Sequence, residues 1–267
     1  MIKASVRFIG FILLVLSYGI STLPFLFLTK ISRYKARIPL TRILSLHAKA
    51  LLWMINIKSN TPHYFNQIDD TPGELIVANH LSYVDILILA AFRPSCFVTS
   101  IEMRNMPFLG QLCELGGCLY VERRSKKNLS NEIVDITNAL KGGLNVIIFP
   151  EATSTNGEEI KRFKRPLFKA AIDSGSTITP ITINYTSLNQ KSVTVSNRDT
   201  IFWYGDMSFL PHFWNLLKQD EITAHLSLSA QIFTSKDEEI SELAQRSYEM
   251  VNLYYYPIVE AINESVI

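Results

Sequence analysis

Leu75-Ile76-Val77-Ala78 is an apolar run that stops at a polar cluster, Asn79-His80-Leu81-Ser82-Tyr83-Val84-Asp85, beyond which a second apolar run extends from Ile86 to Phe92. Four apolar residues bounded by a polar cluster read as a buried strand, and the apolar segment continued past the cluster reads as a helix. The cluster therefore occupies a strand-to-helix corner, the place where open α/β sheets bind ligands. The pattern recurs along the chain. Residues 96–99, 118–121 and 146–149 are further short apolar runs, and Leu129, Ile133, Ile136 and Leu140 mark one face of a helix started by Asn128 and stopped by Gly142-Gly143. Residues 108–115 and 167–172 also read as helical. This alternation predicts an α/β fold, a mixed and largely parallel sheet covered by helices. Pro180 pushes the 177–184 strand toward a sheet edge or toward its own start. A further strand is expected over 223–233 and a long carboxyl-terminal helix over 236–263.

At the first corner, a His with a carboxylate five residues on has the makings of a general base. One ring nitrogen takes a proton while Asp85 holds the other and fixes the tautomer. Five is an awkward helical spacing, since neighbours on one face lie three or four apart. The pair meets only if His80 precedes the first turn and Asp85 lies within it. The alternative is that Asn79 or Ser82 caps the helix and His80 is a surface residue. Ser82 is a poor nucleophile candidate, because it lacks a strained Gly-x-Ser-x-Gly elbow. If the strands ending at Ala78 and Phe149 are parallel neighbours, Glu151 opens onto the same end of the sheet as His80. His212, in the aromatic and apolar stretch 203–217, reads as core or membrane-rim packing.

Residues 8–28 carry no charge and are followed by Lys30, Arg33, Lys35 and Arg37. A 21-residue helix at about 1.5 Å per residue just crosses a hydrocarbon core of roughly 30 Å. Ser17, Gly19, Ser21 and Pro24 interrupt the run, so a kinked or re-entrant hairpin competes with a full span. Residues 38–57 form a second apolar helix broken by Arg42, His47 and Lys49. Residues 1–57 are accordingly expected to anchor the chain to a membrane, on the cytoplasmic face with a bacterial inner membrane favoured, and 58–267 to form the α/β domain. Residues 60–73 read as a loop, with a short strand at 64–65 an option. The formal charge of +2 argues against nucleic-acid binding driven by bulk charge. Cys96, Cys113 and Cys118 read as buried thiols, and with no close Cys/His cluster no metal is expected.

The Asn-His-x4-Asp pattern of 79–85 resembles the first signature of the glycerolipid acyltransferases, the lysophosphatidic acid and related lysophospholipid acyltransferases. Phe149-Pro150-Glu151-Ala152-Thr153-Ser154 is similar to that family's Phe-Pro-Glu-Gly-Thr-Arg signature, and residues 117–123 to its Gly-x-x-Phe-Val-Asp-Arg block. The 177–184 segment resembles a fourth block, in which a Pro follows an apolar run. The likeness covers roughly residues 50–230. It implies acyl transfer from an acyl thioester, acyl-CoA or acyl carrier protein, to a lysolipid hydroxyl, with no cofactor beyond that co-substrate. His80 and Asp85 become the catalytic pair. Asn79, Arg123, Glu151, Ala152, Thr153 and Ser154 become the substrate contacts, Arg123 for an anionic headgroup and Glu151 for placing the acceptor. Two departures stand out: Ala152 replaces Gly, and Ser154 replaces Arg, removing a phosphate partner that Lys161, Arg162, Lys164 or Arg165 would have to replace. The expected acceptor is a lysophospholipid such as 1-acyl-glycerol-3-phosphate. The alternatives are a lyso-amino-acid lipid, a thioesterase using water, and a noncatalytic lipid-binding protein.

Overall fold

The computed structural model describes residues 1–28, 37–60, 73–122 and 127–260. Arg123 and the optional strand at 64–65 lie outside them. Among the described residues, eight strands form one sheet: β1 (Ile57–Ser59), β2 (Leu75–Ala78), β3 (Cys96–Ser100), β4 (Leu119–Val121), β5 (Val146–Ile148), β6 (Ile178–Leu188), β7 (Lys191–Ser192) and β8 (Ile222–Leu228). Their order is β1-β8-β6-β2-β5-β3-β4, with β7 paired beside β6. The five strands from β6 to β4 run parallel, and β8 joins β6 antiparallel.

Alternation along the strands sorts the core into two layers. Ile76, Ala78, Ile147, Ile181 and Ile183 face one side, and Leu75, Val77, Val146, Ile148 and Ile178 face the other. The first side is covered by α2 (Arg37–Ile55), α3 (Tyr83–Phe92) and α8 (Phe209–Lys218), the second by α6 (Leu129–Lys141), α7 (Lys169–Ser174) and α9 (Ile240–Asn252). Fully buried strands need apolar residues on both faces, which is why the runs at 75–78 and 146–148 are continuous rather than alternating. Short helices α4 (Ile101–Arg104) and α5 (Leu109–Leu115) link β3 to β4.

The amino-terminal helix α1 (Ile2–Leu28) lies against α2, α5 and α8. Ala4, Phe11, Tyr18 and Thr22 are buried beneath it, while Val6, Ile9, Leu13, Leu16, Ile20 and Leu23 are exposed on its outer face. Arg7 donates to the carbonyls of Leu217 and Gln219 at the end of α8, and Lys3 pairs with Asp220. Both α1 and α2 are long and apolar enough to cross a membrane. They nevertheless share the sheet's core through Ala4, Phe11, Leu51, Leu52 and Ile55.

Pro180 sits near the start of β6, an interior strand. Its carbonyl accepts from Ser229, and the β6–β8 ladder begins only at Ile181↔Leu228, since Pro has no N–H to contribute. The strand expected over 223–233 therefore ends at Leu228, and only an isolated bridge between Ile178 and Ile232 follows. The expected carboxyl-terminal helix is shorter too, ending at Asn252. Pro257 disfavours helix at the residue before it. Tyr255 instead donates its hydroxyl to Gly157 O at 2.7 Å, and Asn184 accepts from Tyr256 N at 2.9 Å. Residues 261–263 of that expected helix lie outside the described residues.

Candidate active site

The parallel pairing of β2 with β5, in register Leu75↔Val146 through Val77↔Ile148, delivers two corners to one end of the sheet. The first carries His80 and the second Glu151. Ser82 is the N-cap of α3: its hydroxyl accepts from Val84 N, and Asp85, at the third helical position, accepts from Ser82 N at 2.8 Å. This is a capping box with Asp in place of the usual Glu. The same Asp85 Oδ2 also accepts from Leu81 N at 2.6 Å and from His80 Nδ1 at 2.9 Å. The capping and dyad readings are thus both present. His80 sits two residues before the cap, which lets its ring fold back over the helix start.

Asp85 is fully buried, and its Oδ1 accepts the Tyr185 hydroxyl at 2.7 Å. Burial and the neighbouring carboxylate push the Tyr185 phenol far above its ordinary range, so it remains a donor. Four donors converge on this one carboxylate, leaving Nδ1–H as the tautomer of His80 that matches an acceptor. The other ring nitrogen, Nε2, has no hydrogen-bond partner among the described residues, on a side chain that is 18% exposed. Phe149 stacks on the imidazole with ring centroids 4.0 Å apart.

Glu151 is turned inward. Its Oε1 accepts from His80 N at 2.7 Å and its Oε2 from Lys161 N at 2.8 Å, so both oxygens hold backbone, one of them the residue that carries the imidazole. Burial pushes its carboxyl up to about 7, against the pull of those two N–H groups. The His80 carbonyl accepts from Thr155 N at 2.9 Å. Asn79, expected at the substrate, is buried and spends both polar atoms on Ile183, donating to its carbonyl at 3.0 Å and accepting from its N–H at 2.8 Å. It extends the β2–β6 pairing past the end of β2 and so fixes where the corner begins.

Ala152 adopts φ 61°, the left-handed region that suits Gly, and Thr153 and Ser154 follow it to the surface. Lys161, Arg162, Lys164 and Arg165 are all exposed. His212 is a packing residue: Tyr83 Oη lies 2.9 Å from its Nδ1, and its Nε2 lies 2.9 Å from the Phe202 carbonyl. Burial depresses its pKa. Phe149 and Tyr185 were not anticipated as site residues. Phe149 was visible as the residue before Pro150-Glu151, whereas Tyr185 lies 100 positions from Asp85 and gave no local signal.

Residues 56–184 match the family model described as Acyltransferase. A lyso-ornithine lipid O-acyltransferase from Pseudomonas aeruginosa is 31% identical over 204 residues, 75% of this chain and 76% of that protein. The chain belongs to the glycerolipid acyltransferase family. It is an O-acyltransferase. A 1-acyl-sn-glycerol-3-phosphate acyltransferase from Neisseria meningitidis is 25% identical over 67% of this chain and 68% of its own length. In fold, the crystal structure of the 1-acyl-sn-glycerophosphate acyltransferase PlsC from Thermotoga maritima superposes with a TM-score of 0.58 at 18% identity, covering 92% of this chain and 95% of that one. The expected α/β architecture is the family's.

Two measurements follow from this geometry. A non-Gly residue in the left-handed region costs roughly 1–2 kcal/mol, partly offset by the extra unfolded-state entropy of Gly. Ala152→Gly is expected to raise stability by about 0.5–1 kcal/mol in urea unfolding. Because the folded Glu151 carboxyl titrates near 7, above the 4.5 of an ordinary Glu, the native state holds a proton that the unfolded state has released. Its contribution is therefore most favourable below pH 4.5 and declines as pH rises toward 7. Unfolding midpoints taken across pH 5–7 should show that decline in the wild type and lose it in Glu151→Gln.

Proposed function

We propose that this protein transfers a fatty acyl group from an acyl thioester, acyl-CoA or acyl carrier protein, to the hydroxyl of a membrane lysolipid, with His80 as general base. The observation that carries the reading is the buried Asp85 bound to His80 Nδ1, with Nε2 unpartnered among the described residues beside the stacked Phe149. An alcohol loses its proton far above pH 7, so a base must remove it as the new bond forms, a contribution typically worth about 10²- to 10⁴-fold.

The acceptor hydroxyl gives its proton to Nε2 while its oxygen attacks the thioester carbonyl carbon. Asp85 stabilises the resulting imidazolium. The Ala152 N–H is already donated to Phe149 O, whereas those of Thr153 and Ser154 have no hydrogen-bond partner among the described residues and are the nearest candidates for holding the oxyanion. Collapse of the tetrahedral species breaks the C–S bond, and the departing thiolate takes the proton from Nε2. The acceptor is itself the nucleophile, so no acyl-enzyme is required. Ser82 is fully buried in its capping role.

The exposed apolar face of α1, with Leu46 and Trp53 on α2, supports attachment to a bilayer that supplies the lysolipid. Thioester donors are cytoplasmic, which favours the cytoplasmic face of a bacterial inner membrane. Relatives act on lyso-ornithine lipid and on 1-acyl-sn-glycerol-3-phosphate. Ser154 in place of the signature Arg removes a bidentate phosphate partner and favours the amino-acid headgroup.

In an assay with one long-chain acyl thioester and lysolipids of several headgroups, His80→Ala is expected to lose at least about 10³-fold in transfer while unfolding at the wild-type midpoint. Asp85→Asn should lose about 10²-fold or more and keep its binding of acceptor. Thioester cleavage without lipid product would instead indicate a hydrolase, and wild-type transfer by His80→Ala would remove His80 from the mechanism.

A further inference from the structure

Beside Phe149 lies a cavity of about 220 Å³, formed at the carboxyl ends of β3, β4 and β5. Its wall is mostly apolar, including Val98, Val121, Leu129, Ile148 and Leu167, and Phe149 and Ala152 line it from the active-site side. Three charged residues that the catalytic chemistry does not use line it: Glu122, Glu132 from the first turn of α6, and Lys164. Glu132 is more than nine-tenths buried. Its Oε1 accepts from Glu122 N at 2.8 Å, and its Oε2 has no hydrogen-bond partner among the described residues. A helix start explains an acidic residue there. It does not explain why one oxygen is withdrawn from water with no donor among the described residues, an arrangement that natural proteins seldom keep without a reason.

We propose that this cavity is the headgroup site and that Glu132 reads a primary ammonium on the acyl acceptor. The proposal rests on the acyl-transfer reading and names the specificity residue of that site. A carboxylate oxygen in an apolar wall lacks only a cationic donor, and charge-assisted hydrogen bonds are the strong ones. At about 220 Å³ the cavity has room for three methylenes and an ammonium. Lys164 supplies the opposite charge for a carboxylate or phosphate on the same headgroup. A bare phosphate monoester would meet the Glu132 carboxylate as a like charge, which is a rejection as well as a missing attraction. Phe149 couples the two places physically: it lines the cavity, and its ring is stacked on His80.

The test compares wild type with Glu132→Gln, which keeps the volume and an oxygen for the Glu122 N–H. Acceptors are lyso-ornithine lipid, the same lipid N-acetylated on its side-chain amine, lysophosphatidylethanolamine and 1-acyl-glycerol-3-phosphate, each with one acyl-CoA. The expected result is a KM for ammonium-bearing acceptors at least about tenfold higher in Glu132→Gln, with kcat little changed, the N-acetylated acceptor unaffected and the KM for 1-acyl-glycerol-3-phosphate lowered. A loss confined to lyso-ornithine lipid assigns the ammonium to an amino-acid headgroup. An equal loss on both amines assigns it to any primary amine. Identical kinetics for the two proteins, or a uniform drop across all four acceptors, would overturn the assignment while leaving acyl transfer standing. No transfer by the wild type to any acceptor would remove the acyl-transfer reading and this inference with it.

Discussion

The carboxylate of Asp85 is the point on which the site depends. It is fully buried and accepts from His80 Nδ1, Leu81 N, Ser82 N and Tyr185 Oη. A buried charge is tolerated only when it is matched, and here the matching groups are the orphan N–H donors of a helix start, an imidazole and a phenol. The same bonds that close the amino end of α3 also aim the imidazole. Helix capping and the general-base chemistry we propose share one structure at this corner.

A second carboxylate completes the frame. Glu151 joins the His80 backbone to that of Lys161, so the loop after β5 is clamped to the loop after β2 by side-chain bonds in addition to the parallel pairing of their strands. Thr155 N on the His80 carbonyl and Phe149 on the His80 ring act in the same sense. Around His80 the protein controls the amide, the carbonyl, the Nδ1 proton and the ring face, and leaves Nε2. Such control matters because a reacting group misplaced by an ångström loses much of its advantage.

The signature's Glu and Asn hold the protein's own backbone and reach the chemistry only through it. In our proposal, direct contact falls to the ring of His80, to the turn at Thr153 and Ser154, and to the cavity behind Phe149. Discrimination between acceptors is then separable from catalysis. The substitution in the signature at 152 falls on the wall of the cavity and leaves the His80–Asp85 contact intact.

Much of this was legible in the chain. Continuous apolar runs announced buried strands, the 4-3-4 spacing announced α6, and the recurrence of polar residues after strands placed His80 and Glu151 each at the end of a strand. These are local patterns, fixed by burial and by the geometry of three or four consecutive residues. What the tertiary structure decided is what comes together across the chain: Tyr185 on Asp85, Ile183 on Asn79, the Glu151 clamp, and the sharing of one core by the amino-terminal helices and the sheet. The sequence could not show that the carboxyl-terminal helix stops at Asn252, because Tyr255 is drawn away by a carbonyl nearly a hundred residues earlier. Sequence determined which segments form strands and helices and which residue types stand at their ends. Only the folded chain decided which donors each buried carboxylate meets, because those partners are brought together by strand pairing and burial and not by proximity along the backbone.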